Sequence, residues 1–462
     1  MAVWSEVCLM DITQFRRADS EYFHPKYEEA EVKVLKGNTS SLGALGSFKI
    51  GPFGSAFIVS NYDKNSGYRY VRGKDVKSFF LLNNDSVYMP KNDFVRLSQY
   101  ALEKEDLLIS VVGTLGNVCI VPDDIKGIFS CKSTVFRKTK ISPYFLLAYF
   151  NSDIGRLCLV RRQRGAVQTG LNKEDLKTVP VPIVDSTEEN QISTFVKKAL
   201  QKRKLSQSLY TQAQELLEQE LGLNKLKFEK PVGYEASFSE VVNNRRVDAE
   251  YSKPKYKIII QHLKKFNLKK LKDIASLNSG YSFSSDKYSK TGIQIVRIQN
   301  ISGTIINLKR NPVFYPKIYE KELQHFIVKK NNIFMAMTGN TIGKCSLNTT
   351  EKVLFLNQRV LSITSISNDI KPEYLHLFLS NNIFQSFIER ELVGGAQPNI
   401  SMEFIGNQLI PILDSSIQTK ISNLIIESHQ TKRESQQLLE QAKSRVEQLI
   451  EEAAGKNGGN KL

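Results

Sequence analysis

The chain has 462 residues, with 64 Lys and Arg against 47 Asp and Glu, a net charge of +17 and a pI near 9.4. That length holds roughly two to four domains, and the basic surplus favours a polyanion such as nucleic acid over an acidic partner. The five cysteines (Cys8, Cys119, Cys131, Cys158, Cys345) form no CxxC pair, which argues against a zinc clip or disulfide frame and fits small buried hydrophobes; no apolar run approaches a membrane span, Glu6 and Asp11 stand where a signal peptide needs an apolar core, and a cytoplasmic chain is expected.

Residues 1–40 read as an N-terminal arm centred on Arg16-Arg17-Ala-Asp19-Ser-Glu21-Tyr22-Phe-His-Pro25-Lys26-Tyr27. Residues 41–184 read as a mixed domain. Strand-like runs at Asp106–Val112, Val118–Val121 and Thr134–Phe136 are punctuated by Gly and Pro, and Ser142-Pro143 predicts a capped helix carrying Phe145, Leu146, Tyr149 and Leu157. A basic loop follows, Arg161-Arg162-Gln-Arg164-Gly165-Ala-Val-Gln168-Thr169-Gly-Leu171, and Val179-Pro-Val-Pro-Ile183 then blocks an earlier helical start.

Residues 185–222 predict one long helix. Ser186-Thr-Glu-Glu189 has the form of a capping box, and Gly222 follows the last apolar residue as a terminator. Ile192, Phe195, Ala199, Ser206, Leu209, Ala213 and Leu216 mark a coiled-coil seam, with Lys202 interrupting it. At 1.5 Å per residue the helix spans about 50 Å.

The remainder repeats this order. After a linker within 223–267 comes a second arm, Arg245-Arg246-Val-Asp248-Ala-Glu250-Tyr251-Ser-Lys-Pro254-Lys255-Tyr256, identical to the first at eight of twelve positions and displaced by 229. A second mixed domain spans 268–413, with strands near Ile293–Ile298, Asn332–Met337, Val353–Leu356 and Val360–Ile366 and a helix from Pro372. Its loop Gly394-Gly-Ala-Gln397-Pro-Asn399-Ile400 precedes a second long helix at 414–455, with a seam at Ile421, Leu424, Ser428, Ser435, Leu438, Ala442 and Leu449. Residues 456–462 read as a disordered tail. The chain is therefore a tandem duplication. The expected fold class is α+β: two mixed α/β domains separated by an antiparallel two-helix coiled coil, with pseudo-twofold symmetry. A straight first helix would put the heads at its opposite ends, and a DNA turn of about 34–36 Å suits two separated reading sites.

With the duplication in view, the chain resembles the DNA-specificity subunit of a type I restriction–modification system. The resemblance runs over essentially the whole chain. It rests on the doubled arm–domain–helix order, on Asp106-Leu-Leu-Ile-Ser110 with Gly113-Thr-Leu-Gly116 and their partners Asn332-Ile-Phe-Met335 and Gly339-Asn-Thr-Ile-Gly343, and on the Gly165…Gln168…Leu171 and Gly395…Gln397…Ile400 loops. It implies two target-recognition domains reading the halves of a bipartite asymmetric DNA site, two docked methyltransferase subunits, and restriction (translocase/nuclease) subunits. S-adenosylmethionine, Mg2+ and ATP are then expected only on those partners, with no catalytic, cofactor or metal residue on this chain.

Candidate DNA contacts follow from residue chemistry, because Arg binds guanine and Asn or Gln adenine in two-point fashion, while most direct contacts go to phosphate. In the first head they are Arg69, Arg72, Lys74, Thr114, Arg161, Arg162, Arg164, Gln168 and Thr169. In the second they are Arg297, Gln299, Asn300, Asn340, Thr341, Gln358, Arg359, Gln397 and Asn399. The bland alternatives are solvated charge runs and plain hairpin turns. The arm residues Arg16, Arg17, Asp19, Tyr22, Arg245, Arg246, Asp248 and Tyr251 read as an ion-paired subunit-docking element rather than as catalytic carboxylates. Asn311-Pro312-Val313-Phe314 resembles an amino-methyltransferase motif but lacks its second Pro and an upstream Gly-rich loop. The rival readings are a self-contained adenine-specific DNA methyltransferase and a coiled-coil adaptor without sequence reading.

Overall fold

The structure, a computed structural model, describes residues 4–83, 85–165, 169–229, 232–244, 246–392 and 399–458. It divides into two compact units, Met1–Arg203 with Arg433–Leu462, and Lys204–Lys432. The second unit is one repeat long, so the boundaries cut both long helices at equivalent points. Among the described residues no helix is long and apolar enough to cross a membrane.

In the first unit, short strands form an antiparallel sheet in the order Ser47–Ile50, Ser133–Arg137, Leu107–Ser110, Val118–Ile120, the last three buried and the first at its more exposed edge. A smaller sheet sets Tyr68–Val71 antiparallel to Val87–Met89 and parallel to Gly127–Phe129. Thr39–Ser41 pairs with Pro180–Pro182, clasping the entrance and exit of the head. Pro180 and Pro182 are tolerated because this ladder has only two strands. Helices Pro143–Asn151 and Asp153–Val160 close the core. The Ser142 hydroxyl accepts from the Tyr144 N–H at 3.3 Å, which is the cap the Ser-Pro pair predicts.

The second unit repeats the plan. Ala275–Ser279, Val360–Ser365, Ile333–Ala336 and Cys345–Leu347 form the antiparallel sheet. Ile293–Val296 lies parallel to Leu354–Leu356 in the smaller one, and Leu268–Lys270 pairs with Leu409–Pro411. A buried tyrosine hydroxyl ties a core helix of each head to its exit strand, though from non-equivalent positions: Tyr149 donates to the Pro180 carbonyl and Tyr374 to the Pro411 carbonyl, each at 2.7 Å. Of the cysteines, Cys119, Cys158 and Cys345 are buried as expected, whereas Cys8 is exposed.

The long helices cover Ser186–Glu220 and Ser415–Gly458. The second continues past residue 455, so three residues assigned to a disordered tail are helical, and 459–462 lie outside the described residues. Asp185, not Ser186, caps the first helix: its carboxylate accepts from the Thr187 and Glu188 N–H groups at 2.9 and 3.0 Å. Glu189 is thereby released from the expected capping box and accepts from the Ser142 N–H at 2.7 Å. In the second unit Gln418 accepts from the Lys371 N–H at 3.0 Å. Each long helix thus helps to cap the core helix of its own head, the one that begins at Pro143 or at Pro372. Gly222 ends the first helix with φ +62, as its position predicts.

Each unit holds an antiparallel helix pair. In the first, the Ser435 hydroxyl donates to the Ala199 carbonyl at 2.7 Å and Arg445 pairs with Glu188. In the second, Ser206 donates to the Ser428 carbonyl at 2.8 Å and Ser428 to the Ser206 carbonyl at 2.7 Å. Lys202 is no interruption, since it pairs with Glu434 across the seam. The larger seam residues are Val196, Leu217, Ile425, Leu439 and Ile450 rather than Phe195, Leu216, Leu424, Leu438 and Leu449, which are only partly buried.

A bulky residue at such a small position should force the pair apart. Ser206→Leu is expected to cost about 1–3 kcal/mol through overpacking, and Ser206→Ala about 1 kcal/mol through the lost hydrogen bond. Thermal unfolding followed by circular dichroism checks both, and equal melting temperatures for the two variants would contradict the tight seam.

Candidate nucleic-acid interface

In the first head, five connecting segments meet beyond the strand ends. Backbone bonds join them: Val111 N–H to the Lys132 carbonyl at 3.1 Å and Leu171 N–H to the Val111 carbonyl at 3.0 Å. Gly51 lies against the Ser130 carbonyl, and Gly73 lies against Lys132. This cluster brings together Lys74, Thr114, Arg164 and Thr169; the first three are exposed and Thr169 is half-buried. Thr114 sits at a hairpin tip between Gly113 and Gly116, both at positive φ. A side chain at Gly116 would strike Val160, while Gly113 faces open space. The tip is therefore anchored at one end and presented at the other.

The second head builds the same cluster from its own residues. Met337 N–H donates to the Arg359 carbonyl at 3.0 Å and Ile400 N–H to the Met337 carbonyl at 3.1 Å. Gly280 lies on the Leu356 carbonyl. Arg297, Gln299, Asn340, Thr341, Gln358, Arg359 and Asn399 all belong to it, with Asn340, Gln358, Arg359 and Asn399 exposed. Gln168 and Gln397 lie outside the described residues.

The backbone match also exposes a residue that sequence reasoning missed. Lys132 occupies the place of Arg359, and both are exposed. Among the described residues neither has a carboxylate within ion-pair distance. No sequence motif marks Lys132, because the two heads differ in length between equivalent strands. Other cations of the clusters are partly neutralised. Lys74 pairs with Asp85 at 2.9 Å and its hydrogen bond holds that carboxyl below its usual range. Arg164 pairs with Asp175.

Several expected DNA contacts are instead internal fasteners. Arg69 is 6% exposed and donates to the Asn83 side chain and the Leu82 carbonyl. Gln294 serves the same purpose in the second head, donating to the Leu308 carbonyl at 2.6 Å. Arg72 clamps Asp75, which accepts from the Arg72 N–H at 3.0 Å. Its equivalent Arg297 donates to the Asn311 carbonyl at 2.6 Å. Asn300 is buried, and its amide donates to the Asn307 and Arg310 carbonyls at 3.0 Å. Arg161 and Arg162, 5% and 3% exposed, are held by Tyr22, Glu31 and Thr178. Arg69, Arg161, Arg162 and Asn300 are thus buried, with their hydrogen bonds directed into the head rather than presented at its surface.

The arm residues are likewise consumed within their own units. Tyr22 lies between the guanidinium groups of Arg17 and Arg161, each 4.4 Å from its ring centre. Arg17 donates to both Asp19 oxygens, at 2.8 and 2.7 Å, and Arg161 to the Tyr22 carbonyl at 3.1 Å. The second arm repeats the stack, with Arg246 and Arg390 at 4.8 and 3.9 Å from the Tyr251 ring and Arg390 donating to the Tyr251 carbonyl at 2.8 Å. Hydrogen bonding from Arg246 holds the Asp248 carboxyl below the usual range. The motif thus forms an intramolecular clasp between arm and head, with Asp19 still exposed and Asp248 and Tyr251 partly so. Arg16 remains exposed; Arg245 lies outside the described residues. Among the described residues no group of acidic, His or Cys side chains could hold a metal.

The units differ behind this clasp. In the first, Arg162 donates to both oxygens of Glu31 and to the Thr178 carbonyl. In the second the matching positions are Ile260, Glu391 and Asn407, and they line a cavity of about 240 Å³ with Tyr251, Phe387 and Arg390.

The sequence profile described as the type I restriction modification DNA specificity domain matches residues 4–215 and 264–441. The chain belongs to this family. It is 21% identical over 399 residues to the type I restriction enzyme MjaVIII specificity subunit of Methanocaldococcus jannaschii, covering 82% of this chain and 83% of that one. It is 24% identical over 178 residues to the Escherichia coli EcoAI specificity subunit, covering 38% of this chain and 30% of the relative. The crystal structure of the type I restriction–modification S subunit from M. genitalium aligns with a TM-score of 0.48 at 13% identity, covering 90% of this chain and 95% of that one. Within the specificity family's doubled plan, the two loop clusters are the candidate reading surfaces and the clasps are their mounts.

Two outcomes follow from this division. Lys132→Ala and Arg359→Ala should each weaken DNA binding and lower the salt slope by about one without shifting the melting temperature, whereas Arg69→Ala should lower that temperature; titrations at several salt concentrations with parallel melts test this. Arg162→Ala should destabilise by about 3 kcal/mol, because it strips the main partner from the buried Glu31 carboxylate. The double variant Glu31→Ile, Arg162→Met should recover most of that loss in urea unfolding.

Proposed function

We propose that this chain is the non-catalytic sequence reader of a type I restriction–modification assembly. It recognises a bipartite asymmetric DNA site and scaffolds methyltransferase and restriction subunits. The observation that carries the reading is one loop framework built twice with different side chains. Lys74 stands opposite Gln299, Thr114 opposite Asn340 and Lys132 opposite Arg359, while the clasp residues Arg17, Asp19, Tyr22 and Arg161 recur as Arg246, Asp248, Tyr251 and Arg390. A repeated mount with altered tips suits two half-sites of unlike sequence. Phosphate contacts supply affinity and base-edge contacts the choice of site.

Partner docking falls to the outer helices of the arms. On Leu9–Phe15, Leu9 and Met10 are exposed, and on Phe238–Asn244, Phe238 and Val242 are exposed. Such apolar exposure suits a protein interface, with one methyltransferase subunit per arm. S-adenosylmethionine, Mg2+ and ATP would then be bound by partner subunits, and the assembly would work on chromosomal DNA in the cytoplasm. A self-contained methyltransferase gains nothing from Asn311, whose carbonyl accepts from Arg297 and Gln299 within the head.

The test is methylated-motif mapping of cells carrying altered chains. Replacing residues 268–413 with the corresponding head of another family member should change one half-site only. A seven-residue insertion in both long helices should change the spacer and neither half-site. A head exchange that alters both half-sites, or purified chain that methylates DNA unaided, would overturn the reading.

A further inference from the structure

The first head carries an apolar protrusion at a loop where its duplicate has none. Strand Ser47–Ile50 runs into Gly51, where a Cβ would come within 2.5 Å of the Ser130 carbonyl oxygen. In the duplicate, a Cβ at Gly280 would come within 2.1 Å of the Leu356 carbonyl oxygen. Only glycine permits either approach, so both loops leave their sheets from the same pivot. Beyond it they diverge. In the first head Pro52 is buried, Phe57 packs with Tyr70, Met89 and Ile128, and the Arg96 guanidinium donates to the Ala56 carbonyl at 2.8 Å. Between these anchors Phe53 stands 85% exposed, with Val59 72% exposed nearby in the chain. In the duplicate the matching residue is the exposed Ser282, and its neighbour Phe283 turns inward against Tyr315 and Phe355.

Phe53 contributes nothing to the core, and its loop is fastened on both sides, so its exposure is held in place. Its pivot rests on the Ser130–Lys132 turn, which also carries exposed Lys132 and adjoins Gly73 and Lys74. An apolar tip beside such cations has a definite occupant in a DNA-reading head. The cations draw in the phosphates, and the ring meets the only large apolar surface a duplex offers, its base stack. Apolar side chains that enter base steps are a recurrent device for kinking DNA.

Resting on the DNA-reading role argued above, we propose that Phe53 is a wedge that enters a base step in the half-site read by the first head. It unstacks that step and thereby favours pyrimidine–purine steps, which deform at least cost. Ser282 cannot do this, so the two half-sites differ in how they are read as well as in sequence.

The experiment uses the assembled complex with its methyltransferase subunits and duplexes bearing the site found by motif mapping. 2-Aminopurine is placed in turn at each adenine position of the first half-site except the methylated base. Wild type should raise the fluorescence at one step. Phe53→Ser should abolish that rise and weaken binding about tenfold, the scale of one lost stacking contact, with unchanged melting temperature and subunit assembly; Phe53→Leu should retain part of the signal. A serine variant that binds as tightly as wild type, or keeps the fluorescence rise, overturns the wedge. So does a serine variant that no longer retains the methyltransferase subunits, which would make Phe53 a protein contact. A wild-type complex that binds its site no better than a scrambled duplex overturns the parent reading, an outcome distinct from the other two.

Discussion

Close approach of the paired helices is the constraint from which the rest of each unit follows. Ala199, Ser206 and Ala213 recur every seven residues on one helix, and Ser428, Ser435 and Ala442 do so on the other. All six are buried, and the three serine hydroxyls donate to carbonyls of the facing helix. A hydroxyl that bonds a main-chain oxygen across an interface fixes separation and register together, since a slip of one residue breaks the bond inside a dry seam. Leucine at these places would hold the helices apart and leave register to side-chain packing alone. The first unit completes its pair with residues from Arg433 onward, and the second with residues up to Lys432. The duplication therefore shares its two long helices between both units.

From that pair, order passes outward through named bonds. Glu189 and Gln418 reach from the long helices to cap the core helices that begin at Pro143 and Pro372. The following helices end in Arg161 and Arg390, which grip the arm tyrosines. A guanidinium suits this task because its planar fork can stack on a ring while donating to a carbonyl at its edge. The arms are consequently built into the mounts of the reading loops. A head that is fixed at helix, clasp and entrance strand can change its loop tips without losing its position.

This division of labour explains what the sequence showed and what it hid. The doubled order, seven strands at the centre of the heads, the Ser142 cap and the Gly222 terminator were legible, because local chemistry and a constant spacing report them, whereas short strands such as Ser47–Ile50 and Tyr68–Val71 were not. The displacement of the cap from Ser186 to Asp185 was not, because Glu189 finds a better acceptor role 47 residues away, at Ser142. Nor could the chain say which arginines face water. Arg69, Arg161 and Arg162 look like reading residues until the carbonyls and the Glu31 carboxylate around them are placed. Lys132, exposed at the matching backbone position to Arg359, carried no local signal at all.

The net charge illustrates the same point. A surplus of +17 suggests a polyanion, but part of it is spent on internal fastening. Buried arginines contribute to the total while contributing little field at the surface, and paired ones such as Arg164 with Asp175 contribute less than a count implies. What remains at each loop cluster is a small number of exposed groups on a rigid frame. That is the arrangement selective reading requires: a strongly basic face would bind every duplex nearly alike, whereas a few positioned donors and acceptors make affinity depend on which base edges they meet. The same economy makes the two heads free to differ. Because the frame is secured by glycines, clasps and buried arginines away from the tips, exchanging Thr114 for Asn340, or Lys74 for Gln299, alters the chemistry offered to a ligand without disturbing what holds the loops in place.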